Sequence, residues 1–279
     1  MAAKIINGEQ VAREIRNKLK KEVKALINKG KLPGLAIIVV RSPFARTHVA
    51  RLKERTCQQL GIKCQIFYLP ETTTEEELLF LIERLNNSSD IHGINIHPLT
   101  PHLNHTQISQ QVDPQKDVEG LHFLNLGKTF LGKYSSLPFV AKGIIKLIES
   151  TGEKIEGKRA VIIGRSQLVG KPVSFLLLEK NATVSICHSQ TTDLHKFTRS
   201  ADLLITAAGH PHTINKSMVK EGAIVIDVGV NQIGTKLVGD IDYDEVKNVA
   251  GWIAPVPGGV GPVTIVMLLD NLIEAAKNL

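Results

Sequence analysis

Cysteine is scarce in this chain: Cys57, Cys64 and Cys187 are the only three. Their scatter offers no disulfide framework, which points to a reducing, cytoplasmic setting. Aromatic residues make up 4% of the sequence, and no dense run of Lys or Arg occurs. With so few rings for base stacking and no recognisable nucleic-acid motif, the formal charge of +7 does not read as a nucleic-acid surface. It favours smaller anions, such as a phosphate-bearing cofactor or a polycarboxylate substrate. No apolar run approaches the roughly 18–20 residues that a membrane span needs. The opening MAAKIINGEQVAREIRNKLKKEV reads as an amphipathic helix rather than a signal peptide, because an apolar h-region and a small-residue cleavage site are both missing. The remainder is ordinary for a globular protein, with 43% hydrophobic residues and length for one large domain or two modest ones.

What is present is alternation. Val11, Ile15, Leu19, Val23 and Leu26 recur at helical spacing and predict a helix over 8–29, closed by Gly30. LAIIVV (35–40) predicts a short buried strand and RSPFA (41–45) a turn, after which 48–60 reads as a helix ended by Gly61. KCQIFYL (63–69) is the next strand, and TTTEEELLFLIERLN (72–86) a helix with a threonine cap and an acidic first turn. HGINIHPL reads as a third strand. Around LGKYSSLPF (131–139) the pattern lapses into turn residues, as at a domain junction. A helix over 141–150 follows, then a second α/β series: RAVIIG, ATVSIC, ADLLITAAG and GAIVIDVG. The final GPVTIVMLLDNLIEAAKNL is amphipathic and is expected to pack back onto the first domain. Strands alternating with helices imply parallel βαβ units, hence a two-domain α/β chain.

The unit AVIIGRSQLVGKPVSFLLLEKNATVSIC carries the most information. A buried strand runs into Gly164, and Gly170 sits at the mouth of the following helix, where a glycine lets backbone approach a pyrophosphate. The spacing is G-x-S-x-x-x-G, so a tight strand–helix turn in any α/β protein competes with a dinucleotide site. An NAD-type site would place Asp or Glu at the end of the next strand. Here ICHSQTT puts neutral Ser189 there, with Arg165 in the glycine turn. A cation and a hydroxyl without a carboxylate fit a 2′-phosphate, so NADP is preferred over NAD.

APVPGGVGPVT (254–264) combines two bracing prolines with three glycines in four residues, which keeps side chains away from a flat ligand. Together with GRSQLVGKP, CHSQT, IDVGVN, VGDID and PQKDVEG, it resembles the bifunctional methylenetetrahydrofolate dehydrogenase/cyclohydrolase family over nearly the whole chain. The resemblance implies an N-terminal α/β folate domain (1–140 with 263–279) and a C-terminal NADP-binding Rossmann domain (141–262), usually in a homodimer. It places Gly164, Arg165, Ser166, Gly170, Ser189 and Val230 at cofactor positions, Pro262 in the folate-lining loop, and Lys53 on the catalytic lysine.

Departures cluster in the substrate half. The family pattern Y-V-x-x-K puts Val49 where a tyrosine belongs. D-G-I-L-V-Q-L-P-L-P is here HGINIHPLTP, with His97 in place of the glutamine that partners the lysine. KDVEG puts Glu119 where an aspartate holds the pterin, and PFVAKG replaces P-C-T-P-x-G with Phe139, Val140 and Ala141. Hydride transfer asks mainly for proximity and orientation. Hydrolysis must activate water, and a lysine with an ordinary pKa of ~10.4 is a poor base at neutral pH. The reading is therefore a dehydrogenase with an impaired cyclohydrolase step, or else a degenerate paralogue that binds without turnover. His97, ordinarily titrating near neutrality, is a substitute proton carrier on this reading. His102 and His105 read as bland residues rather than metal ligands, and Cys57 as a buried apolar residue.

Overall fold

The computed structural model describes residues 2–41, 47–97, 99–134, 136–234 and 236–279. The turn expected at RSPFA therefore lies, beyond Arg41, outside the described residues. In chain order the first elements are β1 (Lys4–Ile5), α1 (Gly8–Asn28), β2 (Gly34–Val40), α2 (Thr47–Leu60), β3 (Lys63–Leu69), α3 (Glu75–Asn86) and β4 (Gly93–Ile96). Next come α4 (His105–Ser109), α5 (Phe123–Phe130), α6 (Phe139–Glu149), β5 (Arg159–Ile163), α7 (Gly170–Glu179), β6 (Thr183–Cys187) and α8 (Leu194–Thr198). The chain closes with β7 (Leu203–Thr206), β8 (Ile224–Asp227), β9 (Asn231–Ile233), β10 (Lys236–Val238), α9 (Tyr243–Val246), β11 (Trp252–Ala254) and α10 (Val260–Asn278). No helix among the described residues is long and apolar enough to cross a membrane. Two compact units emerge, one of residues 14–139 with 265–279, the other of 1–13 with 140–264.

The 14–139 unit is built on a parallel sheet in the order β3–β2–β4. β2 is buried along its whole length, as a central strand covered on both faces must be. Ala36, Ile38 and Val40 point to one face and meet Leu78, Ile82, Ile94, Ile96 and Ile108. Each such aliphatic side chain contributes about 1.5–3 kcal/mol by leaving water. α3 begins at a reciprocal capping box, in which the Thr74 hydroxyl accepts from the Glu77 N–H and the Glu77 carboxylate accepts from the Thr74 N–H. Its far end is held by Lys116, whose ammonium donates to the Leu85, Asn86 and Ser88 carbonyls. The last helix packs on this unit, as expected: Asn271 donates to the Val118 and Leu137 carbonyls.

The 140–264 unit holds a six-stranded parallel sheet in the order β1–β11–β8–β7–β5–β6. From β5 the chain passes to β6 on one side and then crosses to β7 on the other, the strand-order reversal of a doubly wound fold. Lys4–Ile5 corrects the expectation that the chain opens as helix. The Lys4 and Ile6 N–H groups donate to the Gly251 and Ile253 carbonyls, so edge pairing overrides the helical pattern until Gly8. The antiparallel β9–β10 pair, with a register running from Asn231–Val238 to Ile233–Lys236, is a second element that the apolar periodicity does not announce.

Candidate active site

Lys53 stands on the inward side of α2, in a stripe with Ala50, Thr56, Cys57 and Leu60. It is 7% exposed, rare for an ammonium, so its partners decide its behaviour. They come from β4 and the residue after it. Alternate residues of a strand face opposite sides: Ile94 and Ile96 enter the apolar core, while Asn95 and His97 share the other face. The His97 N–H still pairs with the Ile38 carbonyl, which carries the strand register through position 97. Lys53 Nζ donates to Asn95 Oδ1 at 2.7 Å and lies 3.4 Å from His97 Nε2.

A third group closes the cluster. Glu119 Oε1 accepts from Asn95 Nδ2 at 2.6 Å and from the Ile96 N–H at 2.7 Å. Its backbone is fixed by Asp117, whose carboxylate takes the N–H groups of Glu119, Gly120 and His122 and the Asn125 amide. The sequence KDVEG thus folds into a turn organised around one buried aspartate, and that turn carries Glu119 to the edge of β4. The expected acid, amine and imidazole are brought together by the fold. Asn95, which links two of them, is a residue that sequence reasoning missed. The signal was present, because a lone amide replaces the family's leucine inside the apolar run GINI.

Burial dominates the electrostatics. It lowers the Lys53 pKa to about 8, against the opposing pull of the Glu119 charge. It raises that of Glu119, against the nearby His105 and Lys53. For His97, burial, then the Lys53 charge, then His48 push the pKa down to about 3. This corrects the expectation of a histidine titrating near neutrality: the imidazole is neutral throughout the working range. Because an ammonium can only donate, His97 Nε2 accepts and the ring hydrogen sits on Nδ1. Nδ1 is buried and has no hydrogen-bond partner among the described residues.

Other expected residues fall as follows. Val49 lies on α2 one turn before Lys53, half-buried and without a polar group. Phe139, Val140 and Ala141 open α6, with the latter two buried. His102 contacts Thr100 and the Thr73 carbonyl, and His105 the Ile96 carbonyl. Cys57 is fully buried, and its contact with Cys64, reinforced by burial, raises its thiol pKa. A hollow of about 520 Å3 along α3, lined by Glu76, Phe80, Glu83 and Asn86, contains none of the reactive groups.

In the 140–264 unit, the C-terminal ends of β5 and β7 flank the strand-order reversal. Gly164 follows β5 with φ of +121°, and a Cβ there would strike the Ala207 carbonyl at the end of β7. A Cβ on Gly170 would overlap the Gly164 carbonyl, so the turn closes only with glycine at both places. Ser166 Oγ accepts from the Val169 N–H and pins this turn, while Arg165 is exposed beside it. After β6, Ser189 is exposed, and the first carboxylate beyond it, Asp193, is paired with Lys196 at 2.6 Å. The next loops are tied by two aspartates. Asp227 accepts from Thr206 Oγ1 and from the Gly229, Asp240 and Ile241 N–H groups, and Asp240 from Ala208, Gly209 and Asn231. Burial, with a smaller push from the Asp240 charge, raises the Asp227 pKa to about 6 against the three backbone N–H donors, leaving it ionised at neutral pH. Val230 extends from this loop, 43% exposed. Pro262 stands in the first turn of α10, half-buried. A bare backbone turn, an exposed guanidinium and an exposed hydroxyl with no carboxylate bonded to it among the described residues fit a phosphorylated dinucleotide.

Comparison with known proteins agrees with both halves. The model of the tetrahydrofolate dehydrogenase/cyclohydrolase catalytic domain matches residues 6–119, and that of the corresponding NAD(P)-binding domain matches 138–279. The chain is 48% identical over 279 residues to a protein of Brevibacillus brevis named "Bifunctional protein FolD", covering 99% of this chain and 98% of that one. Its fold superposes with a TM-score of 0.96, at 42% identity, on the bifunctional methylenetetrahydrofolate dehydrogenase/cyclohydrolase of Campylobacter jejuni, covering 99% of each. The Trypanosoma brucei enzyme, solved with NADP cofactor and an inhibitor, gives 0.95 at 34% identity, over 100% of this chain and 98% of that one.

Proposed function

The chain belongs to the tetrahydrofolate dehydrogenase/cyclohydrolase family, and we propose that it runs both reactions with NADP, hydrolysis being the slower. The bound nicotinamide would accept the hydride of the methylene carbon. Gly164, Gly170 and the first amides of α7 would hold its pyrophosphate. Arg165 and Ser189 would receive the 2′-phosphate, with Ser166 and Val230 as further cofactor contacts. Val49, Glu119 and Pro262 would line the folate. Glu119 Oε1 is committed to β4, which leaves the other carboxylate oxygen for pterin N–H groups.

One observation carries the hydrolytic half of this reading: Lys53 is buried, with a pKa near 8 and two polar partners. An amine with that pKa is free base in about one molecule in ten at pH 7, against fewer than one in a thousand for an ordinary lysine. It can take the proton of the water that adds to the methenyl carbon. The step is slowed because Val49 brings no hydroxyl and neutral His97 offers only a fixed hydrogen bond. A homodimer in the cytoplasm, with all three cysteines free, completes the reading.

The test is a stopped-flow experiment with methylenetetrahydrofolate and NADP, following NADPH and the methenyl chromophore together. NADPH formation with transient methenyl accumulation is expected. Absence of NADPH would replace the enzyme by a non-catalytic binder. NADPH without accumulation would remove the slow hydrolytic step.

A further inference from the structure

Asn95 is 2% exposed, on a strand whose neighbouring residues are apolar. An amide buried there without partners would be costly, yet both of its ends are used. Oδ1 receives the Lys53 ammonium, and Nδ2 donates to Glu119 Oε1. The orientation of the amide follows from chemistry. Lysine can only donate and a carboxylate accepts, so oxygen must face position 53 and nitrogen position 119. Leucine, the residue of the family pattern at this place, could make neither bond.

We propose that Asn95 is a positioning residue for Lys53, bridging the amine to the Glu119 carboxylate and thereby fixing where the amine points. Lysine has a four-carbon stem, and holding it in one rotamer needs more than a single long contact to His97. The bridge also transmits charge. Glu119 lies beyond the amide, so the amine faces a negative group through a dipole aligned in the favourable direction. The other groups around the amine are Cys57 on its own helix, Cys64 on β3 and His97. His48 faces His97, His105 and Asp117 face Glu119, and Glu54 faces the two thiols. In a site without the tyrosine and glutamine of its relatives, the amide supplies the strong bond that keeps the amine in place. The inference rests on the reading that Lys53 handles the proton of hydrolysis.

Two measurements test it on the full-length protein: the Lys53 13Cε NMR titration, which needs no substrate, and the pH profile of methenyltetrahydrofolate hydrolysis. Asn95→Leu removes a bond to the charged amine and one to the carboxylate. The Lys53 midpoint should fall by about one pH unit, a tenfold change in proton affinity. The hydrolytic kcat should fall about tenfold at its plateau, with a smaller change in KM, because the amine is no longer aimed. Asn95→Asp is isosteric and keeps the acceptor while adding a carboxyl, so it should move the midpoint upward. It carries the test if the leucine variant does not fold. Variants that lose thermal stability or activity while the Lys53 midpoint stays put would reduce Asn95 to a structural role and overturn the proposal. If the wild-type protein hydrolyses nothing, the functional reading fails, while opposite shifts of the midpoint would still establish the bridge.

Discussion

The two units hold their candidate sites by different means. In the 140–264 unit the site is made of backbone: a glycine turn after β5, amides at the start of α7 and loops pinned by Asp227 and Asp240. In the 14–139 unit it is made of four side chains, Lys53, Asn95, His97 and Glu119, each bonded to or touching another. A backbone site keeps its shape whatever most side chains are, provided the glycines remain. A side-chain site can be rewired, because an acceptor lost at one position is replaceable by one from the next register position of the same strand face. That difference matches where this chain departs from the family pattern. The glycine motif stays readable, while tyrosine and glutamine give way to Val49 and His97 beside a new partner, Asn95.

The contrast breaks first at Lys53. Lys53→Met keeps most of the stem and removes the amine, so hydrolysis should fall by about 10²–10⁴-fold, the usual worth of a positioned base. NADP affinity, measured by calorimetry, should hold, since the dinucleotide turn belongs to the other unit. Loss of both would show that the two sites do not operate separately. The converse substitution is Gly170→Ala, whose Cβ would overlap the Gly164 carbonyl and force the turn open. NADP should bind about 10- to 100-fold more weakly, on the order of 1.4–2.7 kcal/mol. The Lys53 titration near 8 should be unmoved. An alanine variant of full affinity would mean that the turn does not hold the cofactor.

Much of this was legible before the structure. KCQIFYL is observed as β3 over the same residues, because β-branched and aromatic residues fall between turn signals. Thr74, within the predicted threonine cap, makes the observed box with Glu77. Lys53, His97 and Glu119 could be named from the family resemblance and do converge. What stayed hidden depends on partners far along the chain. β1 is held by an edge that Gly251 and Ile253 offer from the far end of the chain. Asn95 looks like a blemish in an apolar strand until Lys53, 42 positions earlier, and Glu119, 24 positions later, arrive beside it. The charge state of His97 is likewise set by burial and by a neighbouring ammonium, neither of which its local sequence contains.

The smallest effect sharpens the same contrast within the 14–139 unit. His97 has a pKa near 3 in the folded chain and an ordinary value near 6.5 when unfolded. As pH falls below about 6.5 the unfolded chain takes up a proton that the folded chain refuses, so stability drops until pH approaches 3. His97→Gln restores the amide of the family pattern and deletes that proton. Between pH 7 and pH 5.5 the variant should therefore lose about 1.4 kcal/mol less stability than the wild type, read from urea unfolding at the two pH values. The glutamine amide, like neutral histidine, both accepts and donates, so it can take over the contact of the ring with Lys53. Parallel losses in the two proteins would mean that His97 protonates in the fold. It would then be the proton carrier that its unperturbed chemistry suggests, in place of Lys53.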